Sequence, residues 1–312
     1  METIYISYPH TLIRKELPET VAAIGFFDGI HQGHQSLIQE AVHQAKETKR
    51  KSAVISFYPH PSVVLKKDVD KVEYITTIEE KAELLEALNV DYFYIITFNK
   101  ELSLLSPQDF IDSFIAGLNI QHLVAGFDYS FGHKGAGNME NINEYSQGRF
   151  TTKEMEEYTY QQEKVSSTRI RKLLAAGDVS GIVPLLGRTY SASGTVIHGD
   201  KRGRELGFPT ANIEVSDEKL LPKQGVYAVT IRVRGEIYKG MASFGVNPTF
   251  KDARTNPLLE TYIFDFTDEI YEESVKVYFH QFIREEKKFA GKEEIIAALE
   301  RDERKVKDYF NK

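Results

Sequence analysis

The sequence predicts two domains, first an α/β domain built on a parallel sheet and then a mostly antiparallel β-barrel followed by a C-terminal helix. In the first half, short apolar β-rich runs alternate with segments of helical periodicity, as in parallel sheets covered by helices. The second half has closely spaced β-rich runs without helices between them, which is typical of antiparallel barrels. Since 312 residues exceed the usual size of one hydrophobic core, we expect two domains, 1–185 and 186–312.

Strands of the first domain are predicted at 21–27, 53–58, 92–98 and 123–125. Between them, apolar residues recur at helical spacing around Leu37 and around Leu84. A third helix is predicted to start in "SPQDF", with Ser106 as N-cap and Pro107 at the first helical position. Because ligands of such sheets bind at the carboxyl ends of the strands, we expect a site at that edge.

Strands of the second domain are predicted at 195–198, 226–233, 237–244, 261–266 and 275–282. The glycine in "VRGEIY" indicates a hairpin turn between two of them. A helix is predicted at the C-terminus, and its apolar face consists of Ile295, Ile296, Leu299, Val306 and Phe310. We interpret the many Glu, Lys and Arg residues of this helix as its solvated face.

Composition excludes several classes of function. The net charge of -7 argues against a protein that wraps nucleic acid, and the absence of cysteine excludes disulfides and thiolate metal sites. The N-terminal segment lacks the apolar core of a signal peptide, and no stretch reaches the ~18 apolar residues of a membrane span. We therefore expect a cytoplasmic protein without a membrane segment.

The stretch "GFFDGIHQGH", 25–34, joins the first predicted strand to a helix. Glycines let the backbone approach a ligand, and the start of a helix favours a phosphate. His31 and His34 are three residues apart, so both lie on one face if the helix has begun there. The residues therefore suggest an anion site, while a turn without a ligand and a histidine pair that binds zinc remain alternatives.

Three further stretches suit the same sheet edge. "FYPHP", 57–61, follows the next strand and holds His60 in a rigid segment, and "AGFDYSFGHKGAGN", 125–138, combines aromatic rings with glycines. "SSTRIR", 166–171, places hydroxyl groups before guanidinium groups at the start of a helix, which suits a phosphate. Taken alone, each has an ordinary structural interpretation, such as an N-cap or a core aromatic residue.

The second half contains "GTVIHGDKRGRELGFPTANI", 194–213. Its basic residues Lys201, Arg202 and Arg204, interspersed with glycines, make a loop suited to phosphates. Thr210 and Asn212 lie on one side of an extended strand, where their oxygens suit Mg²⁺. Glu260 falls within a β-rich apolar run. The alternatives are a solvated basic turn and an exposed strand carboxylate.

The motifs "FDGIHQGH", "FYPHP", "AGFDYSFG" and "SSTRIR", in this order, resemble the adenylyltransferase module of the bacterial bifunctional riboflavin kinase/FAD synthetase family. The H-x-G-H motif alone marks only the nucleotidyltransferase superfamily. The run "HGDKRGRELGFPTAN", followed by "GVNPTF", Glu260 and Arg284, resembles the riboflavin kinase signature of the same family. The resemblance covers essentially the whole chain. It implies a Rossmann-like nucleotidyltransferase domain that makes FAD, followed by a riboflavin kinase domain.

The resemblance also implies site residues. In the first domain, His31 and His34 would be catalytic. ATP would contact Gly25, Phe27, Asp28, Gly33, Ser167, Thr168 and Arg169. The flavin would contact His60, Pro61, Asp128 and Phe131. In the kinase domain, Glu260 would be catalytic and Thr210 and Asn212 would bind Mg²⁺. ATP there would contact Gly194, His198, Gly199, Lys201, Arg204, Gly207, Pro209, Thr210 and Asn212, and the flavin would contact Asn247, Thr249 and Arg284.

The expected substrates and products are riboflavin, FMN, FAD and ATP, with Mg²⁺ as cofactor. Two positions depart from the family pattern: Ser243 stands where an asparagine is usual, and Phe26 precedes the Phe-Asp-Gly triplet where a small polar or aromatic residue is common. Competing hypotheses are a monofunctional enzyme with one silent module and a flavin-sensing regulator without catalysis.

Overall fold

The structure is a computed structural model that describes residues 1–199, 203, 206–244 and 258–311. The chain divides into two compact units, Met1–Ser166 and Ser167–Lys312. Within the described ranges, no helix combines the length and apolar character that crossing a membrane requires.

The first unit is built on a six-stranded parallel sheet in the order β1-β4-β3-β2-β5-β8. Its strands are β1 (Glu2–Ile6), β2 (Thr20–Ile24), β3 (Lys51–Tyr58), β4 (Tyr92–Thr97), β5 (Ile120–Gly126) and β8 (Thr151–Met155). Two small antiparallel pairs join β6 (Ser130–Phe131) to β7 (Gly137–Asn138) and β9 (Thr159–Tyr160) to β10 (Glu163–Lys164). The parallel sheet confirms the predicted class of the first domain.

Helices cover both faces of this sheet. They are α1 (Gln32–Glu47), α2 (Pro61–Leu65), α3 (Ile78–Ala87), α4 (Lys100–Ser103), α5 (Pro107–Phe110) and α6 (Ile142–Ser146). Short 3₁₀ segments lie at Arg14–Glu16 and His133–Gly135, and α5 continues as a π-helical segment, Ile111–Ala116. Alternate residues of β2 face opposite sides, with Ala22 and Ile24 in one core cluster and Val21 and Ala23 in the other.

The predicted strand 21–27 is wrong at its end, because β2 ends at Ile24. Phe27 has a positive φ of 53° and its ring is buried, so an apolar residue continues the core after the chain has left the sheet. The predicted start of α5 is confirmed, since the Ser106 hydroxyl accepts a hydrogen bond from the backbone N–H of Asp109. Edge strands β1 and β8 were not predicted.

The second unit begins with α7 (Ser167–Ala176) and α8 (Val183–Leu186) and continues as a closed six-stranded antiparallel barrel. Its strand order is β11-β12-β15-β14-β13-β16. The strands are β11 (Tyr190–Ile197), β12 (Thr210–Val215), β13 (Gly225–Val233), β14 (Glu236–Phe244), β15 (Leu258–Ile263) and β16 (Ser274–Arg284). The barrel and the hairpin between β13 and β14 confirm the predictions.

Helix α9 (Lys292–Phe310) packs against the outside of this barrel. Val306 and Leu299 contact a cluster that includes Ala228 and Met241 on the strands. Asp302, a charged residue that the interpretation of the solvated face did not include, is 2% exposed.

Candidate active sites

The β2–α1 loop of the first unit brings the predicted glycines and histidines together at the carboxyl edge of the sheet. Three of its residues have positive φ: Phe27 (53°), Gly29 (85°) and Ile30 (38°). Positive φ is unfavourable for bulky residues such as Phe and Ile, so the surrounding structure must hold the loop in this conformation. Its compact path ends at His31, the N-cap of α1.

The carboxylate of Asp28 is turned inward and is 5% exposed. Its Oδ1 accepts hydrogen bonds from the backbone N–H groups of Ile75, at 2.8 Å, and Thr76, at 3.3 Å. Gly29 N–H donates to the Thr76 hydroxyl at 3.1 Å. These hydrogen bonds connect the loop to the segment before α3. The buried Asp28 carboxylate therefore helps to fix the conformation of the loop.

The two histidines form one face at the start of α1. Their rings are stacked with centroids 3.5 Å apart and planes 19° apart, and the backbone N–H of His34 donates to Nδ1 of His31 at 3.3 Å. A zinc ion lies about 2 Å from a nitrogen and in the plane of each imidazole that binds it. Nearly parallel rings stacked at this distance cannot both meet that condition, so the pair does not fit the zinc alternative.

His34 is held in the neutral state. Burial lowers its pKa well below the usual value, and the charges of His31 and Lys81 lower the pKa further. Its Nδ1 atom is buried, and the described residues provide no hydrogen-bond partner for it. A neutral imidazole keeps one ring N–H group, which can donate a hydrogen bond to a phosphate oxygen.

An aromatic group lies beside this loop. The Phe26 ring makes an edge contact with His60, at 4.6 Å between centroids, and lies 6.1 Å from Tyr74. His60 is the N-cap of α2, where its Nδ1 accepts from the backbone N–H of Ser62 at 3.1 Å and Pro61 occupies the first helical turn. The predicted flavin residue His60 therefore sits next to the loop, held by its own cap.

The remaining residues predicted for the first site are more dispersed. Asp128 is exposed after β5 and pairs with Lys164 at 3.1 Å, whereas the Phe131 ring is buried in the core, 4% exposed. Ser167, Thr168 and Arg169 begin α7, which belongs to the second unit.

The second unit contains a cavity of about 230 Å³ on the outer face of the barrel. Thr210, Glu260 and Arg284, three residues predicted from distant parts of the sequence, all line it, together with Ser243. In the strand register, Glu260 lies opposite Asn212 on one side and opposite Ser243 on the other. Because directly opposed residues share a face, Asn212 is on the same face of the barrel as Glu260.

Glycines pack closely around the threonine and the asparagine. A Cβ atom at Gly199 would lie 2.2 Å from Nδ2 of Asn212, and one at Gly203 would lie 3.2 Å from the Thr210 hydroxyl. A side chain at Gly199 would force the Asn212 amide to move, and one at Gly203 would press on the Thr210 hydroxyl. This tight packing fits a small, hard cation held by a hydroxyl and an amide oxygen.

The other described residues of the predicted kinase site do not line the cavity, and Gly194 lies on the opposite face from Asn212, because its partner Val215 is an odd number of residues from Asn212 along β12. His198 is exposed and stacks on Tyr271 at 3.9 Å, Gly194 pairs with Val215, and Pro209 precedes β12 beside Gly207, whose φ is +83°. Four predicted residues lie outside the described residues: Lys201, Arg204, Asn247 and Thr249. Arg202 of the basic loop lies outside them as well.

Arg284 is held in the cavity wall by Asp302 of α9. Its Nε donates to both carboxylate oxygens, at 3.1 and 2.8 Å, and its Nη2 lies 2.7 Å from Oδ2. Its guanidinium also lies over the Phe289 ring at 5.7 Å. Glu286 lines the same cavity, and burial raises its pKa, opposed by Arg284.

Asp302 and Lys81 are buried charged residues near the sites that were not predicted. Both have a signal in the sequence: each is charged but lies at helical spacing within an apolar face, Asp302 three residues after Leu299 and Lys81 three after Ile78. Only the apolar residues of these faces entered the prediction.

Two family models together match most of the chain. Residues 13–169 match the family model described as FAD synthetase, and residues 186–310 match the one described as riboflavin kinase. A bifunctional riboflavin kinase/FMN adenylyltransferase from Listeria monocytogenes is 46% identical over all of this chain and 99% of its own. The protein of that name from Bacillus subtilis is 42% identical over the same shares.

A solved structure has the same fold. It is titled a macrolide-efflux protein from Streptococcus pneumoniae and superposes with a TM-score of 0.87 at 32% identity, covering 98% of this chain and 99% of that one.

Proposed function

The chain belongs to the bifunctional riboflavin kinase/FMN adenylyltransferase family, and on this premise we propose which of its residues carry out each reaction. The enzyme phosphorylates riboflavin with ATP to give FMN and ADP. It then joins FMN to the adenylyl group of a second ATP, which gives FAD and pyrophosphate.

For adenylyl transfer, we propose that His31 and His34 stabilise the α-phosphate as an FMN phosphate oxygen attacks it and the bond to pyrophosphate breaks. The neutral state of His34, stacked on His31 at the start of α1, supports this role. Gly25, Phe27, Asp28 and Gly33 would shape the loop around ATP. Ser167, Thr168 and Arg169 would contact the triphosphate, and His60, Pro61, Asp128 and Phe131 would bound the flavin pocket.

For the kinase reaction, Glu260 would accept the proton of the ribityl 5′-hydroxyl as that oxygen attacks the γ-phosphorus of ATP. Arg284 would position the substrates in the same cavity, and Asn247 and Thr249 would contact the flavin. Gly194, His198, Gly199, Gly207 and Pro209 would form the ATP site with Lys201 and Arg204. The observation that carries this proposal is the convergence of Thr210, Glu260 and Arg284 on one cavity.

Thr210 and Asn212 would hold Mg²⁺, which would screen the phosphate charge of ATP. Their position opposite and beside Glu260, packed against glycines, supports this assignment. We also propose 185/186 as the domain boundary, supported by a kinase family match that begins at residue 186. We propose that the enzyme acts in the reducing cytoplasm, because a chain without cysteine does not need an oxidising compartment.

The test separates the two activities by supplying either riboflavin or FMN with ATP and Mg²⁺ and measuring products by chromatography. His31→Asn should lower FAD formation about 100-fold or more and leave FMN formation unchanged. Glu260→Gln should lower FMN formation about 100-fold or more and leave FAD formation from FMN unchanged.

Matched controls are His43→Asn, an exposed histidine of α1, and Glu236→Gln, an exposed glutamate of β14. Both should keep both activities. If one substitution abolished both reactions in a folded protein, the division of labour would be wrong. If the native chain made FMN but no FAD, the first module would be silent, and if it made neither, the regulator hypothesis would replace the enzymatic one.

A further inference from the structure

A lysine is buried directly beneath the β2–α1 loop, and neither proposed reaction uses it. Lys81, in α3, is 2% exposed. Lysines are almost never buried to this degree unless polar partners compensate for the lost hydration. The partners of Lys81 therefore indicate what its burial achieves.

The Lys81 ammonium group joins three elements. Its Nζ donates to the backbone carbonyl of Phe26 at 2.8 Å and lies 3.2 Å from the Ser56 hydroxyl on β3. The Ser56 hydroxyl itself donates to the same carbonyl at 2.9 Å. The Phe26 carbonyl thus accepts two hydrogen bonds, one of them from a cation, and Nζ also lies 5.0 Å above the Phe26 ring.

This carbonyl is at the start of the segment that most needs support. Phe27 follows immediately with positive φ, and Ile30 repeats that conformation just before His31. Asp28 and Gly29 anchor the middle of the loop through Ile75 and Thr76. Lys81 and Ser56 anchor its beginning, so the loop is fixed on both sides of the unfavourable Phe27 conformation.

We propose that Lys81 is a positioning residue for adenylyl transfer: its buried ammonium group fixes the Phe26 carbonyl and, through it, the loop that carries His31 and His34. The proposal rests on the role assigned above to the two histidines. Phe26, the position that departs from the family pattern, contributes through its backbone carbonyl and its ring.

The charged groups around Lys81 give the proposal a pH signature. Asp28 faces it from the loop and His34 from α1, and Glu80 precedes it on α3. Burial lowers the pKa of Lys81 to about 8, opposed by Asp28. Deprotonation of Lys81 would remove the charge that holds the carbonyl, so FAD formation should fall as the pH rises through about 8.

The experiment compares Lys81→Met, Lys81→Arg and Ser56→Ala in the full-length enzyme. Lys81→Met should lower kcat for FAD formation from FMN about 100-fold, because misplacement of catalytic groups by roughly 1 Å has an effect of that size. FMN formation from riboflavin, measured on the same sample, should stay at the native rate and so reports that the protein is folded.

Lys81→Arg provides the readout that a merely structural role would not change. A guanidinium stays charged throughout this pH range, so the loss of FAD formation near pH 8 should move to higher pH. In Lys81→Met the acid limb of the pH profile of FAD formation should move to higher pH, because His34 loses a positive neighbour that lowers its pKa. Ser56→Ala removes one hydrogen bond to the Phe26 carbonyl but no charge. The kcat for FAD formation should therefore fall, while the acid and alkaline limbs of its pH profile stay at the native pH values.

The proposal would be overturned by a native rate of FAD formation in Lys81→Met, or by an alkaline limb in Lys81→Arg that coincides with the native one. If both lysine variants failed to fold, a native kcat in Ser56→Ala would overturn it. Failure of the underlying site assignment looks different: His34→Asn would keep making FAD whatever the lysine variants do.

Discussion

Removal of the Asp302 carboxylate should lower the free energy of unfolding of the barrel with α9 and should also lower the kinase activity. Asp302 is 2% exposed and holds Arg284 through Nε and Nη2. Loss of one partner from a fully buried pair costs about 3–5 kcal/mol, because a buried charge is left uncompensated. The Arg284 side chain is 19% exposed and can be partly hydrated, so we expect about 2–3 kcal/mol for Asp302→Ala.

Activity should change in the same direction. In Asp302→Ala the guanidinium is no longer held in the wall of the cavity that contains Glu260, so the KM for riboflavin should rise and FMN formation should fall. FAD formation from FMN should be unchanged. Since the chain has two units and no tryptophan, urea unfolding should be followed by hydrogen exchange in α9 and β16, with product chromatography for activity.

Glu303→Gln on the same helix is the matched control. It removes a partly exposed i,i+4 pair with Lys307 at 2.8 Å and should cost about 0.5 kcal/mol. The double variant Arg284→Met with Asp302→Met should recover most of the stability, because both buried charges are gone, but not the kinase activity. The reasoning is refuted if Asp302→Ala is no more destabilising than Glu303→Gln, or if the double variant phosphorylates riboflavin normally.

Two further predictions concern titration and close packing. Because burial lowers the pKa of Lys81 to about 8, the unfolded chain binds more protons than the folded one above that pH, so stability should rise by up to roughly 3 kcal/mol between pH 8 and 10.5. Lys81→Met should lack this rise in pH-dependent urea unfolding, and an identical pH dependence in both proteins would contradict the burial of the charge. Gly199→Ala places a Cβ 2.2 Å from Nδ2 of Asn212 and should raise the Mg²⁺ concentration needed for half-maximal FMN formation about 10-fold. Gly291→Ala, whose Cβ meets no atom within 4 Å, should leave it unchanged, and equal behaviour of the two variants would sink the assignment of Asn212.

The buried strands of the sheet were predictable because both of their faces are covered. β2 and β4 read as nearly continuous apolar runs, "TVAAI" and "YFYIIT", whereas the edge strand β8 has the sequence "TTKEM" and no buried residue. An edge strand is paired on one side only and can be polar, so periodicity does not reveal it. Phe27 shows the opposite error, since a buried aromatic residue in a loop lengthened the predicted strand beyond Ile24.

The sites were predictable where chemistry follows from residue type and spacing. His31 and His34, or Thr210 and Asn212, are neighbours along the chain, so local geometry places them together. Arg284 and Glu260 line the same cavity only because the barrel brings their strands together. Their spacing in the sequence does not indicate this, and they were predicted from the order of motifs in the family.

Lys81 and Asp302 show which further residues a sequence can reveal. Each interrupts the apolar face of an amphipathic helix with a charge. Such a position is buried by the neighbours that pack around it, so the charge must find a partner or be neutralised, by loss of a proton in lysine and by gain of one in aspartate. Lys81 meets the Phe26 carbonyl and Asp302 meets the Arg284 guanidinium, and both partners lead directly to residues proposed for catalysis. A charge within an apolar helical face therefore indicates a buried polar contact, and in this enzyme both such contacts lie behind a proposed active site.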